Sequence, residues 1–289
     1  MDQQTEAEIL GAARNRNDGD AVTPVRLGLD DRFQFSCHPG VSCWNKCCHG
    51  SDITLTPADI LRLSAHFTMT PAEFLAAYTF PAINERSGLP VAKLNMDDGD
   101  GACPFVAEEG CTVYANRPLT CRYYPIGSAS VKMKEDDSRN DFNFLVKESF
   151  CCGHDADKSQ TIGEFRAEQG VEDYDRINRG WIDILMKMAS WKTLGGPQGK
   201  DISKQTKQMF FMVSTDVETF RRFVFASKFT DTYEVDAQTL EAVKTDDVAL
   251  LGLGFDWMKN VLFNDPALRM KEDIVQKAVA GTREEMGAM

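Results

Sequence analysis

All nine cysteines of this chain lie between Cys37 and Cys152, and residues 153 to 289 contain none. Four fall within the twelve residues CHPGVSCWNKCC, at Cys37, Cys43, Cys47 and Cys48. Such crowding leaves three fates for the thiols: gripping a metal, cross-linking in pairs, or burial as small hydrophobic groups. The N-terminus MDQQTEAEILGAARNRNDGD lacks the basic start, apolar stretch and cleavage site of a secretory signal. We therefore expect a cytoplasmic protein, where reductants keep thiols open and a dense cysteine pattern points to metal binding or catalysis. Nine is also an odd number for a pairing scheme.

The balance of charge narrows the partners. A net charge of −12 and a pI near 4.9 oppose a phosphate-binding surface, which needs clustered Lys and Arg. The same charge repels anionic lipid, and no apolar run of membrane-spanning length occurs. We expect no nucleic acid and no membrane, leaving an unknown protein partner or substrate.

Along the chain, residues 1–30 read as a polar tail, 31–160 as a cysteine-cluster domain and 161–289 as a helical region. Thr56-Pro57-Ala58-Asp59 and Thr70-Pro71-Ala72-Glu73 each place a capping Thr before a helix-opening Pro, with an acid at the third helical position. Thr161 with Glu164 repeats the capping box, and Gly170 is a stop. Residues 111–114 read as a short strand, and Arg117-Pro118 opens a turn or short helix carrying Cys121. SVKMK and FNFLVK alternate apolar with polar around EDDSRND and predict a β-hairpin leading to Cys151 and Cys152. Tyr174, Ile177, Trp181, Ile184, Leu185 and Met188 keep helical spacing. Further helices are predicted over 203–213, 216–227, 238–244 and 246–263, with 195–200 as a linker. The Gly252/Gly254 pair makes no nucleotide-binding turn, because no strand precedes it. Asp97-Asp98-Gly99-Asp100-Gly101 lacks the closing acid of a calcium loop and reads as a turn.

Thiolates suit zinc or iron, and a site needs about four of them drawn from local pairs and distant partners. Cys43 and Cys47, four apart, would share a face on a helical turn; Cys37 can fold back through Pro39-Gly40; adjacent Cys47 and Cys48 should point apart and differ in role. The distant partners are Cys103, Cys111, Cys121 and Cys152, with Arg117 and Arg122 flanking Cys121 and favouring its thiolate. Among the histidines near cysteines, His154 is the best nitrogen ligand, because Cys152-Gly153-His154 allows close approach. Trp44 could shield a centre from water. The Phe210, Phe211, Phe220, Phe223 and Phe225 stripe reads as core. No nucleophile and base stand out to specify a reaction.

FSCHPGVSCWNKCC, ITLTPADILRL, MTPAEFLAAY, GACPFVAEEGCTVYANRPLTCRYYPIG and FCCGH together resemble the YkgJ-type cysteine-cluster (CxxCxxCC) family of zinc- or iron-chelating domains, over roughly residues 33–190. The first block departs from the family's two-residue spacing: its intervals are five, three and none. The resemblance implies ligands among Cys43, Cys47, Cys48, Cys103, Cys111, Cys121 and Cys152, with Cys37 beside them and Cys151 the weakest candidate. It also implies kinship with the flagellin lysine N-methylases, and so a methylase alternative using S-adenosylmethionine. The expected fold is mainly α with a short β-hairpin: an irregular cysteine-cluster metal domain packed on a helical C-terminal part. The expected centre is an iron–sulfur cluster, with a structural zinc module as the alternative.

Overall fold

In the computed structural model, residues 22–132, 139–193 and 201–285 are described. Most of the tail expected over 1–30, the turn between the two hairpin strands and the 195–200 linker lie outside these residues. The chain divides into two units, one of Met1–Ile53 with Leu94–Asp175 and the other of Thr54–Lys93 with Arg176–Met289. The division falls inside the helix Val171–Thr193.

The second unit is helical because its helix starts are written into the chain. Thr56 accepts from the Asp59 N–H at 3.2 Å while the Asp59 carboxylate accepts from the Thr56 N–H at 2.8 Å, opening Pro57–Phe67. Thr70 and Glu73 repeat the exchange at the start of Pro71–Tyr78. Each box satisfies two amide donors that a helix start otherwise leaves bare. Helices Lys204–Thr215, Val217–Ala226, Ala237–Ala242 and Asp247–Phe263 follow the predicted spans within one or two residues. Their apolar faces, with Trp181, Ile184 and Met188, build one core around Phe210, Phe220, Leu250, Trp257 and Met258. Leu61, Ala82, Leu89 and Val91 join that core, so the two Thr-capped helices belong with the helical unit although they sit between cysteine blocks in sequence. Phe225 departs from the expected stripe and is 44% exposed.

Asn178 has no exposed surface, and its side chain donates to Thr56 Oγ1 at 2.9 Å and accepts from the Ala58 N–H at 3.0 Å. Asn178→Leu leaves the buried Ala58 N–H without its partner and strips Thr56 Oγ1 of one of its two donors. It is expected to destabilise by about 2–3 kcal/mol, measured by urea unfolding; a change within 0.5 kcal/mol of zero, the range of about ±0.5 typical of surface substitutions, would contradict this role.

The first unit is mostly strand and turn. Ile126–Lys132 and Arg139–Val146 form the predicted hairpin, pairing Ile126 with Leu145 through to Lys132 with Arg139, and Val22–Leu27 adds a third antiparallel strand. Arg32–Gln34 pairs with Ser159–Thr161. Thr161 and Glu164 then cap Ile162–Gln169, which ends on Gly170 in the left-handed region at φ 63. Phe33, Phe35, Ile126, Ile162 and Phe165 form the small core, with edge-on rings at 5.5 Å for Phe33–Phe165 and 6.2 Å for Phe35–Phe165.

The strand expected over 111–114 is cut to Gly110–Cys111, paired with Val106–Ala107, and a 3₁₀ turn Tyr114–Asn116 follows. Arginines impose that turn: Arg117 Nη1 donates to the Tyr114 carbonyl at 3.0 Å, and Arg122 donates to the carbonyls of Ala115, Arg117 and Gln169. The acidic loop is a turn, as expected. Asp97 Oδ1 accepts from the Gly99 N–H at 2.8 Å and the Asp100 N–H at 3.3 Å, which closes the turn on its own backbone. Among the described residues, no helix is long and apolar enough to cross a membrane.

Candidate metal centre

All nine cysteines fall in the first unit and none is disulfide-bonded. They arrive on separate segments that backbone contacts bring together. The Cys103 N–H donates to the Cys48 carbonyl at 2.8 Å, and His49 bridges Ala102, so residues 47–49 lie alongside 102–103. Asn45 adopts the left-handed conformation at φ 65 and its amide donates to the Ala107 and Glu108 carbonyls at 2.8 and 3.1 Å, fastening the first block to the 106–111 hairpin. Gly110, at φ 124, takes the Trp44 ring so closely that an added Cβ would stand 2.7 Å from it. The late thiols return through the 3₁₀ segment Cys152–Asp155, where the Gly153 carbonyl accepts from the Ser36 N–H at 3.0 Å.

Two sets of sulfurs result. Cys48 lies in the field of Cys47, Cys103 and Cys121, while Cys47 also acts on Cys103 and Cys111. Cys43, with 8% exposure, accepts the Cys152 N–H at 3.1 Å and lies in hydrogen-bond contact with Cys151. Ser42 Oγ donates to Cys152 Sγ at 3.3 Å. Cys37 is coupled to both sets, through Cys47 on one side and Cys43 and Cys151 on the other. Two local expectations are corrected. Cys43 and Cys47 do not share a helical face, because the left-handed Asn45 separates the turn holding one from the Lys46–Cys48 turn holding the other. Cys47 and Cys48 do not point apart far enough to act separately, because each is the largest influence on the other's acidity.

That contact decides the local acid–base chemistry. Hydrogen bonding from Cys48 holds the Cys47 thiol down at about 7 despite burial, while the same bond and burial push Cys48 up. Burial, then Cys47, Cys43 and Cys151, push Cys37 up to about 11. Burial also raises Cys103, Cys111 and Cys151. Arg117, only 9% exposed, opposes burial at Cys37 and Cys111. Arg122 instead spends its guanidinium on three carbonyls and on the Tyr174 ring, 4.6 Å away. Its part in the site is to shape the 115–117 turn.

The Cys47 shift has a sign that can be tested in the metal-free chain. Its folded value lies below that of a free thiol, about 8.5, so the thiolate's contribution to folding is present above the unfolded value. It is lost as pH falls through about 7. Iodoacetamide at pH 7.5 is expected to label Cys47 well before Cys37, as mapped by mass spectrometry, because only the thiolate attacks. Equal labelling rates would contradict the Cys47–Cys48 contact.

The predicted histidine goes elsewhere. His154 Nε2 faces the Val146 carbonyl at 3.1 Å, its ring lies 5.2 Å from Phe35, and its Nδ1 is buried without a hydrogen-bond partner. The structure therefore places Cys37, Cys43, Cys47, Cys48, Cys103, Cys111, Cys121, Cys151 and Cys152 in one unit, within electrostatic or hydrogen-bond reach of at least one other of the set, and His154 beside the Arg32–Gln34 strand. Among the described residues, no three His, Cys, Asp or Glu side chains stand close enough, as placed, to close on one ion. The donor set itself fits zinc or iron: sulfur ligands, N–H donors toward sulfur and a buried cation against their negative charge. Sequence reasoning missed Asn45 and Gly110, whose only signals were an Asn before Lys-Cys-Cys and a Gly before Cys111.

Residues 36–152 match the model of the CxxCxxCC family, described as a "putative zinc- or iron-chelating domain". The match supports metal binding by the cysteine-bearing unit. No curated protein matches the chain. No solved structure matches it either.

Proposed function

We propose that the first unit carries an iron–sulfur centre held by its cysteine thiolates and works as a redox protein. The observation that carries this reading is the gathering of nine free thiols from separate segments into two coupled sets within one unit. One structural zinc needs four ligands. Nine thiols exceed that need and suit a cluster with reserve ligands, or two centres. The ligands on this reading are Cys47, Cys48, Cys103, Cys111 and Cys121 in one set, and Cys37, Cys43, Cys151 and Cys152 in the other.

Such a cluster supplies reversible one-electron transfer when bound. The chain's own residues have three duties around it. The Cys152 N–H and the Ser42 hydroxyl aim at sulfur and stabilise negative charge there. Arg117 sets a buried positive charge among Cys37, Cys111 and Cys121. Trp44, packed on Gly110 next to Cys111, keeps water from that side.

Anaerobic purification followed by a visible spectrum and assays of iron, acid-labile sulfide and zinc tests the reading. A brown protein with matched iron and sulfide is expected. Stoichiometric zinc without iron would overturn it in favour of a zinc-stapled interaction module.

A further inference from the structure

We propose that the recess between the Arg32–Gln34 strand and the end of the hairpin binds a small organic phosphate, independently of the metal centre. The recess encloses about 290 Å³, with Arg32, Lys147, His154 and Ser159 on its walls and Phe33 and Leu145 as its apolar side. Among the described residues, no carboxylate lines it. In a chain of net charge −12, two cations and an imidazole around one concavity run against the overall sign, and they stay only weakly compensated. Lys147 makes no ion pair or hydrogen bond among the described residues.

Arg32 is already oriented. Its Nη2 donates to the Ser159 carbonyl at 3.0 Å and its Nε to Ser159 Oγ at 3.3 Å, which fixes the guanidinium plane and leaves Nη1 for a ligand. A guanidinium held in this way matches two phosphate oxygens in a fork, and an ammonium beside it neutralises the second charge of a dianion. Two carboxylates act on these groups from outside. Glu164 feels Arg32, but its carboxylate accepts from the Thr161 N–H at 2.7 Å and serves the helix cap; Asp155 acts on His154. Neither faces the cavity. The volume exceeds that of a bare phosphate, and the edge of Phe33 and the half-buried Leu145 line the side where the organic part would lie.

Calorimetric titration of the full-length protein as purified tests the site, with phenyl phosphate, inorganic phosphate and benzoate as probes. Saturable phenyl phosphate binding is expected, at least about fivefold tighter than inorganic phosphate from burial of the ring. It should be about tenfold tighter than benzoate, which has one charge fewer. Lys147→Glu, at an exposed position, is expected to weaken it at least tenfold, by reversal of a charge at contact distance. Arg32→Ala should act in the same direction. Absence of saturable binding, equal affinity for all three probes, or an affinity unchanged in Lys147→Glu would overturn the proposal. Iron, sulfide and zinc assayed on the same sample report on the metal reading separately, so absent phosphate binding in a metal-loaded protein counts against this site alone.

Discussion

Cys48→Ser is expected to weaken metal binding by more than about tenfold, read as lower metal content per chain after competition with a chelator, since even an outer contact to a ligand costs about 10–100-fold in affinity. Serine keeps nearly the same shape and replaces a soft sulfur with a hydroxyl that stays protonated, so the change removes a ligand without opening a cavity. Cys48 is chosen for its position. It lies in the field of Cys47, Cys103 and Cys121, and its carbonyl accepts the Cys103 N–H at 2.8 Å, tying the first block to the second. Metal binding at such a site is folding free energy, because the unfolded chain holds no preformed cluster of thiols. Amide exchange should therefore speed up across residues 36–53 and 94–152 in the variant. Unchanged metal content, assayed by mass spectrometry of the digested protein, would remove Cys48 from the ligand set.

Gly254→Val is expected to destabilise the helical unit by about 2–3 kcal/mol, as overpacking of a filled core does. A bare Cβ at Gly254 would lie 2.6 Å from Val213 and 2.9 Å from the Phe220 ring. Those neighbours cannot move aside, since Val213 and Phe220 are fully buried and Phe220 stacks on Trp257 at 5.7 Å. Glycine in mid-helix costs about 1 kcal/mol relative to Ala, so the close approach of Lys204–Thr215 and Val217–Ala226 to Asp247–Phe263 must return more than that. Gly252, with nothing within 4 Å of its Cβ position, supplies the control. Gly252→Ala should stabilise slightly by its helix propensity. Equal thermal midpoints for the two variants would contradict the packing role of Gly254.

That pair marks what the sequence could and could not say. Its failure as a nucleotide turn was legible, because no strand precedes it; its packing role was not, because the neighbours that crowd Gly254 come from residues far away in the chain. Helix starts were legible for the opposite reason. Thr56 with Asp59, Thr70 with Glu73 and Thr161 with Glu164 act over three residues, so local spacing contains the whole interaction. The hairpin was legible from alternation. At the thiol site, residue types were readable and directions were not. The left-handed turn at Asn45 decides that Cys43 meets Cys152 while Cys47 meets Cys48, and a period of four residues cannot reveal a break of that kind. Arg122 likewise stood out in the sequence only as a neighbour of Cys121, whereas its donation to the carbonyls of Ala115, Arg117 and Gln169 comes from residues the local spacing does not reveal.

X-ray absorption at the metal edge of the anaerobically purified protein tests most directly whether thiols converge on an inorganic centre. The expected result is iron surrounded by sulfur alone, at about the 2.3 Å typical of metal–thiolate bonds, with a second iron shell behind it. A first shell of nitrogen and oxygen, or a protein that holds no metal while all nine cysteines react freely with a thiol reagent, would contradict it.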